Sequence, residues 1–339
     1  MLPKSESWFD QTMINMPGYN LSIVDSITHA LLVASLLDVL GVTVLIPFGI
    51  LGAVILDLDV LFYLVSSKRP HLYMFIHGGA AHSLTGAAGI AIITYGILYV
   101  LFRTTEYFSH ITFPATFTLL ALIAVIAGAM THVGLDFLAS PGIPLFWPWK
   151  DTRYTPGIFA GPSPIMIFIS LGFIILYIAG LIPVSGLKVY GSLFLAYLAI
   201  SVMIRIAATV KIKGNTYPTI NPLKWLVIEK EDNCWSLKFA DLLTGRDTGN
   251  RTWPALQGVK EEDIARISDI PGVRRVRYHS AFTIAHRRDN GDIVIEDPSR
   301  VEGIVRYPPY YTSIVLRQTD PGKWEAVTEQ PEIATLPGN

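Results

Sequence analysis

The chain has 339 residues, 51% hydrophobic and 16% charged, with a formal net charge of −1. The near-neutral balance argues against a nucleic-acid partner, and a single cysteine, Cys234, excludes an internal disulfide. Soluble domains carry about a quarter charged residues, so a uniformly water-exposed fold is excluded as well.

The charge deficit is local. Residues 1–210 hold 8 of the 26 basic and 9 of the 27 acidic residues, leaving 18 of each sign for residues 211–339. The chain therefore divides into an N-terminal segment (1–26), a helical membrane region (27–210) and a soluble β-rich domain (214–339). A bilayer crossing takes about 20 mostly apolar residues. Six stretches qualify: 28–46, 47–65, 84–102, 115–137, 164–184 and 187–208. The first carries His29 near its start. The second, PFGILGAVILDLDVLFYLV, carries Asp57 and Asp59 and reads as a broken or re-entrant helix. The third follows His77-Gly78-Gly79-Ala80-Ala81-His82-Ser83, and the fourth ends with His132 and Asp136. The loop 138–163 is rich in Pro, Gly and aromatics. Its Trp147 and Trp149 suit a membrane interface, and its Lys150 and Arg153 either meet a lipid phosphate or serve as flanking charges.

With six spans, Lys4, Lys68, Arg69, Lys150, Arg153, Arg205, Lys211 and Lys213 flank one side, and only Arg103 and Lys188 the other. The basic bias marks the cytoplasmic side, which places both termini in the cytoplasm. From residue 214 short alternating runs replace the apolar stretches. WLVIEKED, CWSLKF, VRRVRYHSAFTIAHRR, DIVIEDP and TSIVLRQ read as strands of an antiparallel sheet, with an Asn-Gly turn at 289–292 and one helix over 258–268. Arg274, Arg275 and Arg277 then lie on a basic strand, and His279 and His286 are ordinary strand residues.

With this topology the ionisable groups of the apolar region gather at one membrane face. Such groups are costly inside a bilayer and mark functional sites. His29, Asp57, Asp59, His77, His82, His132 and Asp136 come from four spans and the loop before the third. His132 and Asp136 stand four apart and share a helix face. His77 and His82 are about 140° apart on an ideal helix, so Gly78 and Gly79 must turn the chain for both to face inward. Asp57 and Asp59 likewise diverge on a helix. Either one binds metal while the other orients a ligand or acts as base, or the helix is unwound there. Imidazole with carboxylate suits zinc first, then manganese or iron. Ser83 caps the third span or lies near a substrate.

Taken in order, Thr28-His29, Asp57-Leu58-Asp59, the His77–Ser83 motif and His132-Val133-Gly134-Leu135-Asp136 resemble the pattern of the YdjM-like inner-membrane proteins, which are described as metal-dependent hydrolases. The resemblance covers residues 25–165. Pro218 and Asn221-Pro222-Leu223-Lys224-Trp225 resemble the tail of longer members. The resemblance implies an inner-membrane, multi-pass hydrolase. The motif order is also similar to that of zinc-dependent phospholipase C, an all-helical phosphoesterase. That similarity implies His29, Asp57 or Asp59, His77 or His82, His132 and Asp136 as ligands. The phospholipase pattern adds a later His-x-x-x-Glu, yet no His occurs here between His132 and His279. One or two ions are therefore expected rather than three.

The expected protein is a polytopic α-helical membrane protein of about six spans with a C-terminal, mainly antiparallel β domain. Its expected activity is metal-dependent hydrolysis of a lipid-borne phosphoester through a metal-activated water. His29, His77, His82, His132, Asp136 and one of Asp57 and Asp59 would hold the metal, and the other Asp would act as base. Lys150, Arg153 and Ser83 are the candidate substrate contacts, the bilayer is the expected partner, and no nucleic acid is. A non-catalytic anchor or regulator is the alternative, followed by a transporter, for which Asp38 would matter.

Overall fold

The computed structural model describes residues 18–66, 68–104, 117–161, 163–305, 311–320 and 322–329, with side chains from residue 26 except at 63, 64, 184, 328 and 329. Most of the expected N-terminal segment 1–26, and the first residues of the expected fourth span, lie outside the described residues.

The chain forms two compact units. One comprises Tyr19–Tyr63 and Met74–Ala207. The other joins Leu64–Tyr73, the last two residues of the expected second span and the first eight of the loop after it, to the chain from Ala208 onward.

The helical unit contains α1 (Gly18–Val39), α2 (Ile46–Ile55), α3 (Leu84–Thr104), α4 (Leu119–Leu138), α5 (Pro164–Ile178) and α6 (Leu187–Lys211, whose last turn belongs to the other unit). A short parallel pair, β1 (Ala139–Ser140) and β2 (Phe159–Ala160), ties the end of α4 to the start of α5. Helical turns run without a break from Thr43 to Phe62, because 3₁₀ segments flank α2. Among the described residues, four stretches are long and apolar enough to cross a membrane: Thr43–Phe62, Leu84–Thr104, Leu119–Leu138 and Leu187–Lys211. The apolar helices Ser26–Val39 and Pro164–Ile178 are shorter. At 1.5 Å per residue, the 15 residues of α5 span about 22 Å, less than the roughly 30 Å hydrocarbon core. Four of the six expected spans thus have membrane length.

Small residues set the contact that matters most for the site. A Cβ on Gly52 would fall 1.9 Å from the carbonyl oxygen of Val125, and one on Gly128 would fall 2.1 Å from that of Gly49. Only hydrogen fits at either point, so α2 and α4 meet backbone to backbone. This is how apolar helices pack in lipid, where no hydrophobic drive between helices exists. Phe48, Leu56, Ala87, Ala91, Val125 and Val133 fill the core among α2, α3 and α4. A buried chain of hydroxyls holds α1 on the other side. Thr28 Oγ1 lies 2.9 Å from Ser170 Oγ on α5, which lies 2.8 Å from the Tyr190 hydroxyl on α6.

The C-terminal unit has two sheets. One is antiparallel in the order β3 (Asn215–Pro218), β4 (Lys224–Glu231), β5 (Cys234–Asp241), β6 (Asp247–Pro254). The other runs β11 (Lys323–Glu329), β10 (Ser313–Asp320), β9 (Ile293–Glu296), β8 (Ile284–Arg287), β7 (Leu256–Gln257). It is antiparallel except for the β7–β8 pair. The Asn-Gly turn joins β8 to β9 as expected, with Gly291 at φ 88°. The expected helix over 258–268 is α7 (Glu261–Ile267).

One strand assignment is corrected. The VRRVRYH half of the expected long strand is helix α8 (Pro271–His279). Pro271 stands in the first turn, where its missing N–H costs nothing. Val273 and Val276, three apart, are both buried. Arg274, Arg275 and Arg277 therefore lie on a helix, and Arg275 is buried. Its guanidinium carbon sits 3.9 Å from the Tyr311 ring centroid, and its Nη1 donates to the Ser66 carbonyl at 3.2 Å. His279 ends that helix, buried, rather than lying in a strand. A short helix α9 (Pro298–Val301) is capped by the Asp297 carboxylate.

Candidate metal centre

Each of the seven candidate side chains reaches the site by a local device. His29 follows Thr28, whose hydroxyl anchors α1 to Ser170. Asp57 and Asp59 lie on the 3₁₀ segment Leu56–Phe62. Residues two apart diverge by about 160° on an α-helix but by about 120° on a 3₁₀ helix. The helix is not unwound there but wound tighter, and this lets both carboxylates face one cluster. Gly78 adopts φ 72°, and a Cβ on Gly79 would fall 2.1 Å from the Met74 carbonyl oxygen. These glycines turn the chain, so that His77 lies in an irregular loop and His82 in the 3₁₀ turn Ala80–His82. His132 and Asp136 stand one turn apart at the end of α4.

The structure brings all seven together inside the helical unit. Asp57 Oδ1 lies 3.5 Å from His132 Nε2 and 3.7 Å from His82 Nε2. Asp136 Oδ2 lies 3.3 Å from each of the same two nitrogens. His29 Nε2 is 3.6 Å from Asp136 Oδ1, and the His29 and His132 rings stack with centroids 3.9 Å apart. Asp59 stands on the far side of His82. Its Oδ2 is 3.0 Å from His82 Nδ1, and its Oδ1 accepts a hydrogen bond from His77 Nδ1 at 3.0 Å. His77 Nδ1 is 3.9 Å from Asp57 Oδ1.

These distances fit a bound cation. A tetrahedral ion with nitrogen and oxygen ligands at about 2.0–2.1 Å keeps them about 3.3 Å apart. Asp57 Oδ1 and Asp136 Oδ2 each lie 3.3–3.7 Å from both His82 Nε2 and His132 Nε2. The His82 and His132 Nε2 atoms are buried and make no hydrogen bond among the described residues. Three carboxylates crowd beside them, and buried charge of one sign calls for a counter-ion. Three overlapping triads have ligand-competent spacing: His29, His132 and Asp136; Asp57, His82 and His132; Asp59, His77 and His82. The side chains of His82 and His132 are 0% and 1% exposed, whereas those of Asp136 and His77 are 21% and 23% exposed. The cluster thus reaches the surface on the Asp136 and His77 sides.

Two supporting groups escaped the sequence reading. The Ser26 hydroxyl donates to Asp57 Oδ2. Its signal was its position, three residues before His29 and so on the same helix face. The Ala53 carbonyl accepts from His132 Nδ1 at 2.6 Å, which turns Nε2 toward the carboxylates. A backbone acceptor leaves no mark in a sequence.

The candidate substrate contacts are placed differently. Ser83 caps α3: its buried hydroxyl donates to the Ala80 carbonyl and accepts from the Gly86 N–H. Lys150 is exposed and Arg153 half-buried. Lys150 joins none of the ion pairs of the seven-residue cluster among the described residues. Their loop nonetheless packs beside it: Leu84 N–H donates to Leu145 O at 3.1 Å, and the Thr85 hydroxyl donates to the Trp147 carbonyl.

A family model described as YdjM inner membrane protein matches residues 24–210, more than half of the chain and all seven site residues. No curated protein and no solved structure gives a significant match.

Proposed function

The chain belongs to the YdjM inner membrane protein family, and we propose that within it this protein is a metal-dependent hydrolase acting on a lipid-borne phosphoester. The observation that carries the reading is that Asp57 Oδ1 and Asp136 Oδ2 each lie 3.3–3.7 Å from both His82 Nε2 and His132 Nε2, close to the spacing of neighbouring ligands on a tetrahedral cation. Zinc suits two imidazoles and two carboxylates, and manganese or iron would also accept them. A divalent cation there supplies Lewis-acid polarisation of a phosphoryl or acyl oxygen and a water made acidic enough to react near neutral pH.

The chain's own groups do the rest. His132 is turned by Ala53 O so that Nε2 faces inward. Ser26 holds one oxygen of Asp57 and leaves the other for coordination. Asp59, the other member of the pair, has its oxygens against His77 and His82 and supports the ligands rather than serving as the base. Asp136 and His77, the more exposed members of the cluster, mark the side from which substrate approaches.

The choice of a lipid substrate rests on position. The second helical stretch ends, α3 begins and α4 ends next to the cluster, so it lies at one end of the membrane helices. Beside it the loop 143–154 exposes Phe146, Trp149 and Lys150. Aromatics with a basic residue suit the headgroup region. With α1 and α5 completing six spans, this is the end rich in flanking Lys and Arg, and both termini face the cytoplasm.

The test is hydrolysis by the purified protein in mixed phospholipid vesicles. Release of a phosphorylated headgroup or of phosphate is expected. It should stop with chelator, return with zinc or manganese, and be absent in His132→Ala. Equal release by wild type and His132→Ala would contradict the proposal.

A further inference from the structure

We infer that the two aspartates of the Asp57-Leu58-Asp59 motif do different work: Asp57 coordinates the cation, and Asp59, with His77, stays outside a single-ion centre and fixes the orientation of His82. The inference rests on the metal reading above and goes beyond it in assigning the ion count and both carboxylates.

It starts from the valence of His82. A neutral imidazole has one lone pair on nitrogen and one N–H. The lone pair belongs at Nε2, because that atom lies 3.3 Å from Asp136 Oδ2 and 3.7 Å from Asp57 Oδ1. Nδ1 must then carry the hydrogen. Asp59 Oδ2 stands 3.0 Å from it, both atoms buried. The contact is not an aligned hydrogen bond, but a carboxylate oxygen this close to Nδ1 favours the tautomer with its hydrogen there. The other oxygen of Asp59 accepts from His77 Nδ1, so both imidazoles bind one carboxylate through the same ring atom. A second ion between Asp59, His77 and His82 would require His82 to bind through both nitrogens. Without that, Asp59 and His77 remain, two ligands where a zinc site uses three or four from the protein. Metal-bound histidines commonly face a carboxylate in this way, and losing it costs about 10–100-fold in metal affinity.

The experiment measures metal stoichiometry and competitive zinc affinity of the purified full chain, and the visible spectrum of its cobalt form. Wild type should bind one ion, with the intense absorption of tetrahedral cobalt. Asp57→Asn should lose the ion. Asp59→Asn should keep one ion and a tetrahedral spectrum while binding zinc about 10–100-fold more weakly, and Asp59→Glu should recover part of that loss. His77→Ala should keep one ion. Two ions in wild type, falling to one in His77→Ala or Asp59→Asn, would overturn the inference and leave the metal reading intact. Unchanged affinity in Asp59→Asn would overturn it too. If Asp59→Asn does not fold, the wild-type and His77→Ala stoichiometries still decide. A wild type that binds no ion at all would overturn the metal reading itself.

Discussion

His132 has two ring nitrogens and a separate task for each. Nδ1 donates to Ala53 O and so secures α4 to α2, while Nε2 faces the carboxylates. The tasks can be separated by substitution. Asparagine carries an amide N–H near the place of Nδ1 and nothing at the place of Nε2. His132→Asn should therefore keep thermal stability near that of wild type and lose most of the bound metal. His132→Ala should lose both. Melting and metal content measured together check this, and metal retained in His132→Asn would contradict the assigned roles. Residue types were the legible part of the site. All seven His and Asp residues were visible as ionisable groups in apolar surroundings. Their partners were not, because Ser26 is an ordinary helix serine and the Ala53 acceptor is backbone. Nor could side-chain type say which of Asp57 and Asp59 faces which nitrogen, a question that 3₁₀ winding answers and periodicity does not.

At the scale of elements, the contact of α2 with α4 holds the cluster in register. A side chain at Gly52 or Gly128 would meet a backbone carbonyl, which cannot turn aside. Overpacking of this kind costs about 1–3 kcal/mol or more. Gly52→Val and Gly128→Val should each lower the yield of folded protein in detergent and reduce metal binding in what remains. Gly96→Ala on α3, with nothing within 4 Å, should change neither. Size-exclusion profiles and metal content check the contrast. The membrane-length helices were legible because a run of apolar residues is a strong signal. Elements of the C-terminal unit were less so. Strand β6, DTGNRTWP, is polar and almost wholly exposed, so no alternation betrays it. Helix α8 was misread because Val and Arg in a short run suit a strand. The three-residue spacing of Val273 and Val276, after Pro271, was the better guide.

For the whole molecule, the division into units does not follow the change in composition at residue 210. Leu64–Tyr73 joins the C-terminal domain through Arg275, whose guanidinium reaches Ser66 O, and through the Tyr73 and Tyr278 rings, 5.4 Å apart. No composition rule foretells that a loop between apolar stretches will pack with a distant domain, since the contact spans more than 200 residues of sequence. Replacing Arg275 with Met removes the hydrogen bond and the ring contact while keeping an apolar stem. Trypsin should then cleave after Lys68, which is exposed, faster than in wild type. An unchanged rate would show that Arg275 does not secure the segment.

The account turns on whether His82, His132, Asp57 and Asp136 hold a divalent cation together. The direct measurement is metal content by mass spectrometry of the detergent-purified protein, comparing wild type with His82→Ala and His132→Ala at equal folded concentration. The expected result is about one zinc, manganese or iron ion per wild-type chain and a loss of most of it in both variants. Metal content unchanged by either substitution, or absent from the wild type after incubation with all three metals, would contradict the account.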